Sequence, residues 1–122
     1  MRLLVLVAIL AACRDESRVC TLIGCNSALM VTVAGAPGQA VVTVVAQQIE
    51  TPFASLSSHC TANSSGACSV SFPDFFPSNA RVDVSWNSQT EQFTVQPTYQ
   101  TSRPNGPDCL PICRFGMVSV TL

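Results

Sequence analysis

The sequence contains no lysine, and among its 122 residues there is only one histidine, one tryptophan and one tyrosine. Charged side chains make up only 11% of the chain, and the net charge is −1. A protein that binds nucleic acid through its phosphates presents clustered lysine and arginine side chains. Because this chain has no such cluster, we exclude nucleic acid as a partner.

Motifs for catalysis, cofactors and metals are also missing. There is no G-x-S-x-G serine motif, no glycine-rich phosphate loop and no D-x-D-x-D-G calcium loop. His59 follows Ser57 and Ser58, but no third group completes a catalytic arrangement in the sequence. The acidic residues after the N-terminal segment are Glu50, Asp74, Asp83, Glu91 and Asp108. They form no recognisable catalytic pair, although Asp83 and Glu91 could oppose each other across a hairpin. We therefore predict no enzyme activity, no cofactor and no metal.

The chain begins with a short apolar segment. Arg2 precedes an unbroken run, LLVLVAILAA, over residues 3–12. The run is too short to span a bilayer, which takes roughly 20 apolar residues. A positive start, an apolar core of this length and small residues at its end are typical of a secretory signal peptide. We assign residues 1–12 to such a peptide and predict that the protein is exported.

The end of this segment, Leu10-Ala11-Ala12-Cys13, resembles the lipobox of bacterial lipoproteins. The resemblance implies that Cys13 is the first mature residue and carries a diacylglyceryl thioether. Several acyl chains on one residue would hold the protein stably on a membrane. The following Arg14 is not the aspartate that favours inner-membrane retention, which points to an outer-membrane lipoprotein on the periplasmic or surface face.

Six cysteines follow Cys13, an even number that indicates a disulfide framework in a short exported chain. Cys60 and Cys68 flank a turn and could face each other across two antiparallel strands. If the first and last strands lie side by side, their leading ends favour Cys25–Cys113 and Cys20–Cys109. Two local bridges, Cys20–Cys25 and Cys109–Cys113, are the alternative, and the sequence does not decide between the two sets.

Alternating apolar residues predict about seven short strands and no helix. The clearest examples are residues 29–33, 42–46, 82–86 and 118–122. They predict an all-β, disulfide-stapled, antiparallel two-sheet sandwich, immunoglobulin-like in general shape, with Trp86 as its core aromatic. Residues 97–113 are expected to be one long loop. We divide the mature chain into a lipidated N-terminus with a tether and first cysteine loop, 13–27, and a sandwich domain, 28–122.

One loop combines aromatic residues with proline, in the stretch PDFFP. Phe75 and Phe76 are adjacent, so both cannot point into a core, and they form a possible binding patch for a protein, glycan or lipid. The alternative is a loop that folds over an open end of the sandwich. The lipobox, the outer cysteine pairs and the closing strand together resemble small cysteine-containing envelope lipoproteins of Gram-negative bacteria, a resemblance that implies no particular activity.

Three functions are compatible with these features. The first is a non-enzymatic, lipid-anchored envelope protein that binds or spaces something at the membrane surface. The second is an accessory subunit of an envelope complex, which an unpaired strand edge would favour. The third is a small hydrolase, which would require His59 to meet a serine and a carboxylate.

Overall fold

A computed structural model describes residues 20–50 and 54–122, and these residues form eight β-strands and no helix. Residues 1–12, which we assigned to a signal peptide, and Cys13 lie outside the described residues. The strands, in chain order, are β1 (Ala28–Ala34), β2 (Val41–Gln48), β3 (Ser55–Thr61), β4 (Cys68–Pro73), β5 (Ala80–Trp86), β6 (Gln89–Val95), β7 (Thr98–Ser102) and β8 (Cys113–Thr121). Within the described ranges, no helix has the length and apolarity needed to cross a membrane.

The strands form two four-stranded sheets that pack face to face, as the sequence predicted. Sheet A has the order β4-β1-β8-β7 and sheet B the order β3-β2-β5-β6. All pairs are antiparallel except β1 and β8, which run parallel with Ala28 beside Phe115 and Ala34 beside Thr121. The first and last described strands therefore begin at the same end of the sandwich.

The core lies between the sheets and follows the alternation of the sequence. The side chains of Leu29, Val31 and Val33 on β1 are completely buried. They face equally buried valines on the central strands of sheet B: Val42, Val44, Val82 and Val84. Because β-branched side chains suit a pleated surface, this pattern produces strands and a dry interior together.

Two features of the core differ from the sequence prediction. Trp86 lies at the end of β5 and only packs partly against the core, whereas Phe72 is the large aromatic that is 2% exposed. Residues 98–102 form β7 instead of part of a loop. Only Gln96 and Pro97 separate β6 from β7, and the chain changes sheets there, because proline has no N–H to continue the ladder of sheet B.

The two ends of the sandwich differ in their connections. We call the end where β1 begins the proximal end and the other the distal end. Short turns close the distal end, at residues 35–40, 62–67 and 87–88. The proximal end carries the connection at residues 74–79 and the longer one at residues 103–112, and the described chain also enters there at Cys20. The space for a functional site is therefore proximal.

Candidate functional site

Two of the three disulfides connect the entering chain to the last long loop. They join Cys20 to Cys109 and Cys25 to Cys113, which are the pairs of the crossed set rather than the local one. The parallel pairing of β1 with β8 brings the residues just before each strand together. The proximal end is thus covalently closed by two neighbouring bridges.

The third disulfide, Cys60–Cys68, has a different setting from the one expected. We predicted that Cys60 and Cys68 would face each other across one hairpin. Instead, β3 is an edge of sheet B and β4 is an edge of sheet A. The bridge therefore links the two sheets along one side of the sandwich, because the turn between the strands carries the chain from one layer to the other.

Asn105 holds the two proximal loops together by its side-chain amide. Its Oδ1 accepts hydrogen bonds from the Thr21 hydroxyl at 2.6 Å and the Ile23 N–H at 2.9 Å. Its Nδ2 donates to the carbonyl oxygens of Ile23 at 2.9 Å and Leu110 at 2.8 Å. One amide thus uses both its donors and its acceptor to place residues 20–25 against residues 103–112.

These two loops expose several large apolar side chains, beside the charged side chains of Arg103 and Asp108. Leu22 is 100% exposed and Leu110 is 78% exposed, although both are leucines in an ordered, disulfide-bonded region. Ile23 and Ile112 are also exposed. We call these four side chains the apolar tip. Exposed large apolar side chains that share one surface mark interaction sites more often than isolated ones do.

An open cleft of about 290 Å³ lies at the same end. Its polar groups come from the ends of strands that the topology brings together: Glu50 after β2, Asp74 after β4 and Arg114 at the start of β8. Asn79 donates a 3.0 Å hydrogen bond to Glu50 Oε1, and the Arg114 guanidinium lies 5.7 Å from the ring centre of Phe76. The remaining lining residues are Gln48, Ala54, Phe75, Pro77 and Ser78.

The two phenylalanines of the proposed binding patch have opposite environments. Phe75 is only 4% exposed and packs edge-on against Phe72, with ring centres 6.1 Å apart. Phe76 is 42% exposed at the cleft. Phe75 is therefore a core residue, which corrects the prediction that both could contact a partner. Asp74, immediately before them, takes a positive φ of 55°.

Tyr99 fixes the loop that forms one wall of the cleft. Its hydroxyl donates a 2.6 Å hydrogen bond to the carbonyl oxygen of Pro77. Its ring lies over Gly116, where an added Cβ would be 2.6 Å from the ring. Burial, together with the negative charge of Glu50, raises the pKa of the Tyr99 hydroxyl from 10.0 to about 12.

This shift predicts a loss of stability at high pH. The folded chain keeps the Tyr99 proton up to about pH 12, whereas the unfolded chain releases it near pH 10. The stabilisation is complete below pH 10 and is lost as the pH rises towards 12, since unfolding releases a proton in that range. Tyr99 is the only tyrosine, so tyrosinate absorbance reports it directly.

In that experiment the Tyr99→Phe variant is the control. It should lose the stability change between pH 10 and 12, and about 1 kcal/mol of stability at neutral pH because the hydrogen bond to Pro77 is absent. A folded wild-type protein that titrates with the midpoint of the unfolded chain would contradict the prediction.

The structure separates the groups that a hydrolase would need. His59 is exposed on the outer face of sheet B, opposite Thr43. Asp83 is on β5, and β2 lies between β5 and the strand β3 that carries His59. The Asp83 carboxylate accepts a 3.0 Å hydrogen bond from Gln92 and lies 3.5 Å from the Arg81 guanidinium. In the described part of the chain, no hydrogen bond joins His59 to a serine or a carboxylate. The arrangement that would favour a hydrolase is therefore not present there.

The suggested opposition of Asp83 and Glu91 is also corrected. Asp83 pairs with Gln92, whereas Glu91 pairs with Val84, whose side chain points into the core. Successive residues of a strand face opposite sides, so the two carboxylates lie on different faces of sheet B. Over residues 20–50 and 54–122, no three histidine, cysteine, aspartate or glutamate side chains are grouped so that they could hold a metal ion.

The sequence did not indicate two parts of this end. Glu50, Asp74 and Arg114 are far apart in the chain, and only the positions of their strands bring them to one cleft. Asn105 lies in an asparagine-glycine pair that suggests a simple turn. Its neighbouring cysteines were the one signal that residues 20–25 would meet it. No family model matches the chain, and neither the curated proteins nor the solved structures contain a significantly similar one.

Proposed function

We propose that this protein is a non-enzymatic, lipid-anchored envelope protein that acts as a binding or spacer module at a membrane surface. One observation carries the proposal: Cys20 is bonded to Cys109 at the proximal end. The lipobox cysteine, Cys13, is only seven residues earlier. A fully extended chain of that length spans at most about 25 Å. An acylated Cys13 therefore keeps the proximal end within about 25 Å of the lipid.

The cysteine content supports the same proposal. All six cysteines after the lipobox are in disulfides, and such frameworks persist in oxidising compartments outside the cytosol. That leaves Cys13 as the single cysteine for a thioether. Within this proposal the cleft beside Arg114 and Phe76 is the feature that would bind a small partner near the membrane.

The intact mass of the protein extracted from membranes tests the anchor. We expect a chain that begins at Cys13 and carries acyl mass, and whose mass rises by six hydrogens on reduction because three bridges open. The Cys13→Ser variant should lack the acyl mass, whereas a Ser17→Ala variant should retain it. A wild-type chain without acyl mass at Cys13 would contradict the proposal.

A second candidate, an accessory subunit of an envelope complex, is favoured by the free side of the sandwich. Among the described strands, β6 and β7 have no neighbour on their outer edges, whereas the edges β3 and β4 are joined by Cys60–Cys68. Unpaired edges can accept a strand from another chain. A photoreactive residue at Gln100 on β7 should then cross-link a partner, and one at Ser71 on β4 should not.

A further inference from the structure

We propose that the apolar tip, Leu22, Ile23, Leu110 and Ile112, inserts into the lipid bilayer and forms a second membrane contact beside the acylated cysteine. The inference rests on the proposed lipid anchor, which would deliver the tip to the membrane. It predicts a defined orientation of the domain relative to the membrane, because the two proximal loops contact the bilayer and restrict rotation about the tether.

Disulfides and hydrogen bonds connect the two stretches of the tip. Leu22 and Ile23 lie between Cys20 and Cys25, and Leu110 and Ile112 lie between Cys109 and Cys113. Asn105 bonds the backbones of Ile23 and Leu110. Because the loops are already fixed, little conformational freedom is lost when the tip meets another surface.

Its chemistry suits lipid better than water. Residues 20–27, CTLIGCNS, contain no charged side chain. Residues 109–113, CLPIC, also contain no charged side chain, and Asp108 and Arg114 border them. Within the tip, Asn105 forms hydrogen bonds with the Thr21 hydroxyl and with the carbonyl oxygens of Ile23 and Leu110. Leucine and isoleucine on such uncharged stretches can enter the boundary between headgroups and acyl chains.

The short distance along the sequence between Cys13 and the tip favours a bilayer as the surface that the tip contacts. Cys20 is part of the tip's own framework, and only residues 14–19 separate it from Cys13. An acyl chain on Cys13 cannot be in the membrane while the tip is further than about 25 Å from that residue. Arg103 and Arg114 flank the tip in sequence, and arginine at such a boundary can reach anionic headgroups.

Tryptophan fluorescence in brominated vesicles tests the insertion. The lipidated full-length chain is reconstituted in phosphatidylethanolamine–phosphatidylglycerol vesicles containing brominated phosphatidylcholine, which quenches tryptophan in the acyl region. We expect the added tryptophan of Leu22→Trp to shift to the blue and to lose intensity. The unsubstituted chain, whose one tryptophan is Trp86 at the distal end of β5, is the control and should keep its emission.

Two further variants separate insertion from the effect of the probe itself. Ser64→Trp places an exposed tryptophan in the distal turn, and it should not be quenched. Adding Leu110→Glu to Leu22→Trp should abolish the quenching, because a charge enters the same tip, whereas adding Gln89→Glu at the distal end should not.

The outcomes distinguish the tip from the anchor. Quenching of Leu22→Trp alone supports insertion. Vesicle-bound, acylated protein with unquenched Leu22→Trp overturns the insertion and leaves the anchor intact. A blue shift without quenching, together with a dimeric mass in detergent, also overturns it, since a second copy of the chain would then cover the tip. Loss of vesicle binding without acyl mass at Cys13 contradicts the proposed anchor itself.

Discussion

Replacing Cys20, Cys25, Cys109 and Cys113 together by alanine is expected to lower the free energy of unfolding by about 7 kcal/mol. Removing either bridge alone should cost only about 3 kcal/mol. The loss from the double removal therefore exceeds the sum of the single losses by about 1 kcal/mol or more. Since small domains have total stabilities of about 5–15 kcal/mol, the chain without both bridges should be largely unfolded on warming.

The inequality follows from the overlap of the two bridges, which are interleaved along the chain. Each closes a segment of nearly the same length, with sequence separations of 89 and 88 residues. When one is removed, the other still closes the long segment. The bridge that was lost had therefore added only a small ring, made of residues 20–25 and 109–113. When both are absent, the entropy of the whole long segment is released to the unfolded chain.

Denaturant unfolding of the three variants, followed by circular dichroism, measures this non-additivity. The Cys60→Ala/Cys68→Ala variant is the control. Its bridge spans a separate short segment, with a sequence separation of 8, so its loss should add to that of either proximal bridge. Equal losses for the single and double removal of the proximal bridges would contradict the argument from overlapping bridges.

Gly66→Ala is the substitution with the largest expected effect outside the cysteines, about 4 kcal/mol. Gly66 has a φ of 80° in the turn between β3 and β4. An added Cβ would lie 2.2 Å from the carbonyl oxygen of Ala36, which is backbone and cannot turn away. The same contact includes a 3.1 Å hydrogen bond from the Ala36 N–H to the Gly66 carbonyl, so the clash also separates the two distal turns.

Gly106→Ala is a matched control for backbone strain without the clash. Gly106 also has a positive φ, 104°, but an added Cβ there would meet nothing within 4 Å. We expect it to cost about 1 kcal/mol, the cost of a left-handed backbone for alanine. Thermal unfolding compares the two. Similar melting temperatures for both variants would show that the approach of Ala36 to Gly66 contributes nothing.

The layered fold could be predicted because its central strands alternate cleanly. Val31 and Val33, like Val82 and Val84, occupy every second position, and this period fixes both strand and buried face. The edge strand β7 could not be predicted in this way, because only Tyr99 faces inward and the strand lies between two prolines. Such a strand is defined by its pairing with β8, and β8 begins 11 residues further along the chain.

The site was less predictable than the fold for a related reason. The sequence indicated that the adjacent Phe75 and Phe76 could not both point into the core, but it did not indicate that Phe75 would be the buried one. That choice depends on the position of Phe72. The cleft and the Asn105 bonds depend on loops that meet only after both sheets have formed, and no local pattern encodes such a meeting.

The place of β8 has a consequence for the order of events when the chain is made. It is the last strand of the described chain, yet it lies inside sheet A between β1 and β7. Until its nine residues are available, β1 lacks its parallel neighbour and Cys25 lacks its partner. Contacts between such distant residues also form slowly. The nascent chain should therefore stay unfolded until β8 has been synthesised. A delay of this kind would suit the export that we propose, since an unfolded polypeptide can pass through a narrow channel.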